Sequence, residues 1–258
     1  MMVTPSEILT VAYLLFGAAV GSFLNVVIYR LPLGMSVASP PSRCSSCGYQ
    51  LKPWDNIPII SYLILRGKCR SCSRSFGASY VFVELLNLLV WTLLLVRLGL
   101  TFLTLIEAFF SSLLLASSAI DINTRTIPRK LIYVGTVIVV VLSAVYAVAK
   151  GDIGVLERAL FLGAISFLVF ILIFFASRGS LGFGDVRLSF VIGFSLGIFG
   201  ARLVIDFFYI AFASAAAYGI TLLMRKRAGR KTKIPFGPFM SLGAFAGLML
   251  LNSLRILG

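Results

Sequence analysis

Eight apolar runs divide this chain, at 8–28, 80–96, 101–120, 131–149, 159–176, 186–201, 203–224 and 236–254. Each approaches the ~20 residues that a helix needs to cross the ~30 Å hydrocarbon layer of a bilayer. Within that layer every backbone N–H and C=O must be satisfied inside the protein, so runs of this length specify helices. Composition agrees: of 258 residues, 59% are hydrophobic and only 12% charged, against roughly 25% charged in a soluble domain. The expected fold is an all-α polytopic membrane protein of about eight transmembrane helices. The run 186–201 is short and rich in Gly, and Glu107 interrupts the third run. The spacings Gly17-xxx-Gly21 and Gly193-xxx-Gly197 fit close helix packing.

Charge sets the orientation. The formal net charge is +14, which in a soluble protein would point to nucleic acid. Here 18 of the 23 Lys and Arg fall in the segments 29–79, 121–130, 177–187 and 225–235. With eight spans these four segments share one side, and a Lys/Arg excess marks the cytoplasmic side. The expectation is a multi-pass membrane protein with these four segments in the cytoplasm, a lipid bilayer as partner and no nucleic acid. The cluster Arg225-Lys226-Arg227 reads as an anchor against anionic lipid. No internal repeat is evident.

The segment 29–79 is the one sizeable soluble stretch, too small for a robust apolar core. It holds all four Cys of the chain, as Cys44-Ser-Ser-Cys47 and Cys69-Arg-Ser-Cys72. Two CxxC pairs suit tetrahedral zinc, and four thiolates leave no open coordination position, so the expected metal is structural. Disulfides, redox-active thiols or an iron centre are the alternatives, although a cytoplasmic loop disfavours persistent disulfides. The expected organisation is a first part, 1–79, holding one transmembrane helix and a small cytoplasmic insert that binds zinc through its four cysteines, and a second part, 80–258, holding the remaining helices.

The chain has no His and only nine acids. That excludes Ser-His and Cys-His catalysis and His-ligated metals, and lets each acid be weighed in turn. Glu7 is expected at the interface and Asp55 solvated in the cysteine loop. Asp152 and Glu157 are expected to pair with Lys150 and Arg158 in an outer loop, and Asp206 with Arg202. Glu107 is expected either to face the bundle or to reach the interface by tilt. Glu84, Asp121 and Asp185 remain, all at the cytoplasmic ends of their spans. Asp121 closes the third span, and Asp185 ends the segment Gly182-Phe183-Gly184-Asp185. Two carboxyls brought together can divide acid and base roles in hydrolysis. Helix-end caps, ion pairs with Arg125 or Arg187, and a proton relay in a transporter are open alternatives. The segment Lys233-Ile234-Pro235-Phe236-Gly237-Pro238 cannot be helical throughout. It reads either as backbone for pairing with an extended peptide or as a loop-to-helix junction.

In order along the chain, these features resemble the bacterial type IV prepilin peptidases, which also serve type II secretion. Gly21-Ser22-Phe23-Leu24-Asn25 through Arg30-Leu31-Pro32 resembles the N-terminal signature of that family, and Ser39–Cys44 opens a similar two-CxxC module. Asp121 followed by Ile127-Pro128 resembles its first aspartate motif, Gly182–Asp185 its GxGD motif, and Lys233–Pro238 its late Lys-x-Pro-x-Gly-Pro motif. Arg129 stands where the family commonly has an acid, and Arg187 where it commonly has Lys.

The resemblance implies an intramembrane aspartic endopeptidase with Asp121 and Asp185 as catalytic dyad. Gly182, Gly184, Lys233, Pro235, Gly237 and Pro238 would form the loops around it. Its substrate would be a prepilin or pseudopilin, cut after a Gly at the cytoplasmic face. Many members then methylate the new N-terminal residue with S-adenosylmethionine; Gly21, Asn25, Arg30 and Glu84 are the residues expected at that second site. No Gly-rich nucleotide fingerprint supports methyl transfer independently. A peptidase without methyl transfer, and a proton-coupled transporter using the same Asp pair, are the alternatives. Oligomeric state is not legible.

Overall fold

A computed structural model describes residues 4–177, 181–225 and 234–250. Among them the regular structure is helical, apart from two isolated antiparallel bridges, Arg43 with Gln50 and Lys68 with Ser75. The helices are α1 (Pro5–Arg30), α2 (Ile60–Ile64), α3 (Ser79–Leu98), α4 (Phe102–Thr124), α5 (Arg129–Lys150), α6 (Ile153–Ala176), α7 (Phe183–Phe199), α8 (Ala201–Met224) and α9 (Gly237–Met249). A 3₁₀ turn, Pro53–Asn56, precedes α2.

Each of the eight apolar runs holds a helix among the described residues, and six of these helices are long and apolar enough to cross a membrane: α1, α3, α4, α5, α6 and α8. The protein is a multi-pass membrane protein. α7 has 17 residues, or about 25 Å at ~1.5 Å per residue. α9 has 13, or about 20 Å, and positions 251–254 of its expected run lie outside the described residues.

The chain separates into two compact units, 1–96 and 97–258. The first holds α1, the cysteine insert and α3. α3, up to Val96, falls in the same compact unit as α1. The reason is a close approach: a Cβ on Gly17 would lie 2.6 Å from the Trp91 ring, so only Gly lets the indole seat against α1. Asn87 Nδ2 donates to Gly17 O at 2.8 Å, and Tyr13 OH to Trp91 O at 3.3 Å. Glu7 is half of a capping box with Thr4 at the start of α1, which satisfies helix-end donors locally.

In the second unit, α4 and α7 form the interior. Buried residues make up 72% of the α4 span and 22% of the spans in α5, α6 and α8. A helix apolar on every side belongs inside a bundle, and α7 is buried along most of its length. Gly193 and Gly197 let α7 lie against Ser166, Ala159 and Leu162 of α6. Asp152 caps α6 by accepting from Val155 N at 3.3 Å, so α6 starts six residues before the expected run. Glu157 and Arg158 are then helical, not loop residues. Arg158 does not pair with an acid: it donates to Gly197 O and Ile198 O at 3.1 and 2.6 Å. A cation there meets the negative end of α7. Asp206 and Arg202 do not pair either; among the described residues the single ion pair is Asp55 with Arg70.

Candidate active site and metal centre

Asp121 lies one turn before the end of α4, which Arg125 closes in a left-handed conformation while donating to Asp121 O at 2.8 Å. The Asp121 side chain is 5% exposed, and its Oδ2 accepts from Gly237 N at 2.9 Å. Gly237 opens α9, where Pro238 fits because a first-turn residue needs no N–H partner. A Cβ on Gly237 would stand 3.0 Å from that carboxylate oxygen. Pro235 belongs to the non-helical approach to α9, and Lys233 lies outside the described residues.

Asp185 is in the first turn of α7, 6% exposed, with its N–H donated to Gly182 O at 3.1 Å. A Cβ on Gly182 would lie 3.1 Å from Asp185 Oδ2, and one on Gly184 would lie 3.0 Å from Cβ of Ile127. Ile127 sits in the link that leaves Asp121 for α5. Gly184 thus lets the start of α7 close on the chain leaving Asp121. Neither arginine offered as a partner serves as one. Arg125 terminates α4, and the Arg187 guanidinium lies over the rings of Phe183 and Tyr133 at 4.5 and 5.7 Å.

The cysteine insert is built from two copies of one turn. Cys44 N donates to Tyr49 O and Gly48 N to Cys44 O; in the second copy Cys69 N donates to Arg74 O and Ser73 N to Cys69 O. Gly48 and Ser73 both have positive φ, at 73° and 56°. The expectation of no internal repeat therefore fails here: Ser replaces Gly at the matching position and hides the copy. The Sγ atoms lie within 4.8 Å of one another, with Cys44–Cys72 and Cys47–Cys69 both at 3.9 Å. Four sulfurs about 2.3 Å from a tetrahedral zinc stand about 3.8 Å apart, so the set fits that ion. The N–H groups of Cys47 and Ser46 pull the Cys44 thiol down to about 6. The Arg74 N–H also favours the Cys72 thiolate, but the crowded sulfurs of Cys47, Cys69 and Cys44 outweigh it and push Cys72 up to about 11. A dication relieves that crowding.

Asp55 is not solvated, as the sequence led us to expect, but buried between the two turns. It accepts from Arg70 Nε at 2.6 Å, from Lys52 N at 3.2 Å and from the Tyr49 hydroxyl at 3.2 Å. Burial works against its charge, yet the Arg70, Lys52 and Tyr49 donors together hold its carboxyl below the usual range.

Glu84, Asn25 and Gly21 come together where α1 meets α3. Glu84 Oε2 accepts from Ile59 N at 2.7 Å, and Oε1 from Asn25 Nδ2 at a long 3.5 Å. Gly21 makes room: a Cβ there would be 3.3 Å from the Glu84 Cα. Arg30 is occupied elsewhere, donating to Ser36 O at 3.0 Å in the turn after α1.

One polar contact has no signal in local sequence. Glu107 is fully buried, and Ser195 Oγ in α7 lies 2.9 and 2.8 Å from its two carboxyl oxygens. Of the two placements expected for Glu107, the bundle interior is the one observed.

Two family models match the chain: the Bacterial Peptidase A24 N-terminal domain over residues 15–98 and the Type IV leader peptidase family over 108–220. Among curated proteins, the prepilin leader peptidase/N-methyltransferase of Burkholderia pseudomallei (strain 1026b) is 32% identical, over 91% of this chain and 83% of the relative. The proteins of that name from Pseudomonas aeruginosa and Bacillus subtilis (strain 168) are 29% and 28% identical. The first alignment covers 92% of this chain and 88% of the relative, the second 89% and 90%. No solved structure matches.

Proposed function

We propose, from the premise that this chain belongs to the bacterial prepilin leader peptidase/N-methyltransferase family, that it removes the leader of a prepilin or pseudopilin with Asp121 and Asp185. One observation supports the reading: Asp121 at the end of α4 and Asp185 at the start of α7 are both buried, each beside a glycine, and Gly184 of α7 packs on Ile127 in the link that leaves Asp121. A scissile carbonyl enters between the two carboxyls. One carboxylate takes a proton from water as the oxygen attacks, while the other carboxyl protonates the carbonyl oxygen. Collapse of the tetrahedral intermediate then passes a proton to the leaving amine. The Gly237 N–H fixes the Asp121 rotamer, and burial keeps bulk water from competing. No His is needed, which suits a chain that has none.

The site lies at the cytoplasmic face of the inner membrane, on the side favoured by the Lys and Arg distribution. There the basic leader of the substrate stays in water while its apolar segment remains in the bilayer. Cys44, Cys47, Cys69 and Cys72 hold a structural zinc that folds the insert; metal analysis of the purified protein is expected to give about one equivalent per chain. Methylation of the new N-terminus is the second activity, assigned to residues 1–79 together with Glu84. Bound S-adenosylmethionine would supply the methyl group; Glu84, placed by Asn25 and Gly21, would accept hydrogen bonds from it. Arg30 closes the turn that leads into the insert. Transfer of labelled methyl from S-adenosylmethionine to a cleaved prepilin tests this activity separately from cleavage. Its absence with intact cleavage leaves a peptidase alone.

A further inference from the structure

The insert is not wholly a water-facing module. α2 and the residues beside it expose Trp54 (54%), Ile57, Ile60, Leu63 (66%) and Ile64 (70%), more apolar surface than a solvated loop of this size carries. The place of this surface is fixed by Glu84. Glu84 is the sixth residue of α3, and Asn25, beside it, is the sixth from the end of α1. That is about 8 Å inside the helix ends. The Ile59 N–H is tied to Glu84 at 2.7 Å, so the chain entering α2 is held about 8 Å along α3 from its start, a distance that matches the ~5–10 Å to which interfacial helices bury their apolar faces.

The backbone turns sharply at this attachment. Ile59 has φ 62° and ψ −50°, and Ile60 N donates to Pro58 O across a three-residue γ-turn. A β-branched residue in this strained region marks a position over-determined by its surroundings. The flanks match the same surface. Lys52 lies over the Trp54 ring at 5.3 Å, and Arg43, Arg66, Lys68, Arg70 and Arg74 are the other basic residues of the insert. Its single acid, Asp55, is neutralised by Arg70. Trp and Lys together at an apolar edge are the residues that settle at a membrane interface.

We propose that the segment Trp54–Leu65 dips into the bilayer interface beside α1 and α3, with Ile60, Leu63 and Ile64 in the acyl boundary and the basic flanks on anionic headgroups. The insert is thereby a lipid-anchored platform, held to the depth of α3 by Glu84.

Trp54 reports on this directly, because the chain has one other Trp and that one, Trp91, is fully buried. The full chain is placed in nanodiscs whose lipids are brominated either near the headgroup end of the acyl chain or near its terminus. The Trp54 signal is the difference between wild type and Trp54→Phe. The expected result is stronger loss of Trp54 emission with the shallow bromines than with the deep ones, larger with phosphatidylglycerol than with phosphatidylcholine, and little loss with aqueous iodide. The double variant Leu63→Glu/Ile64→Glu is expected to reverse this pattern while keeping the zinc content of wild type, which shows the insert still folded. Trp54 quenched by iodide and untouched by either bromine overturns the proposal. So does emission that responds to an apolar prepilin segment and not to lipid, which makes the surface a protein site.

Discussion

Asp121 and Gly237, 116 residues apart, are joined by a hydrogen bond of 2.9 Å from the Gly237 N–H to the Asp121 carboxylate. That bond ties the end of α4 to the start of α9 and fixes the direction of the carboxylate at the proposed dyad. Glycine keeps this approach close: a Cβ at this position would stand 3.0 Å from the oxygen it serves and push it aside by a few tenths of an ångström. The Gly237→Ala variant is therefore expected to insert in the membrane normally but to cleave prepilin more slowly, by less than the ~10²-fold that a ~1 Å misplacement of a reacting group can cost. Gly184→Ala, pressed against Ile127, is expected to act in the same direction. Cleavage rates measured against the amount of folded protein check both.

Ser73 occupies the left-handed position that Gly48 occupies in the first turn of the insert. A non-glycine residue there costs roughly 1–2 kcal/mol. Ser73→Gly is expected to slow zinc loss to a chelator, and Gly48→Ala to speed it. The two effects should be opposite in sign, read as the half-time of zinc release.

Asp55 links the two turns of the insert through Tyr49 and Arg70. Asp55→Asn is expected to hasten zinc release at neutral pH by breaking the ion pair. Because the carboxyl is held below its ordinary value, its contribution is complete above the unfolded Asp value of about 3.9 and fades only as the pH falls further. The ratio of wild-type to variant release rates should accordingly be flat between about pH 6 and 8. A ratio that changes across that window contradicts the assignment.

Ser195 is the hydroxyl facing the buried Glu107. Ser195→Ala leaves a buried acid without that donor, a loss of about 1–3 kcal/mol. The variant is expected to unfold at lower temperature yet cleave normally per folded molecule, since Glu107 stands 14 residues from Asp121 along α4, or about 21 Å. Thermal unfolding and a cleavage assay on the same preparation separate the two effects.

Much of this architecture was legible in the sequence because it rests on local signals. Apolar run length gave the helices to within a few residues at most ends, and CxxC spacing gave the sulfur cluster. The glycine pair of α1 marked the contact that seats Trp91, and Gly184 of GxGD marked where the start of α7 approaches Ile127. Contacts between distant segments were not legible. Glu107 finds Ser195 88 residues away, and a serine on an apolar helix gives no sign of its partner. Asp55 was misread because an acid in a polar loop looks solvated until Arg70 and Tyr49 fold around it. Arg158 was misread because its acceptors are backbone carbonyls, which no side-chain pattern reveals.

Replacing Asp121 or Asp185 by Asn tests the central claim most directly. Each change keeps the shape and removes the proton-transfer chemistry, and each variant is assayed for prepilin cleavage in membranes at equal protein level. The account predicts that either substitution abolishes cleavage while the variant keeps the zinc content of wild type. Cleavage at the wild-type rate by either variant contradicts it.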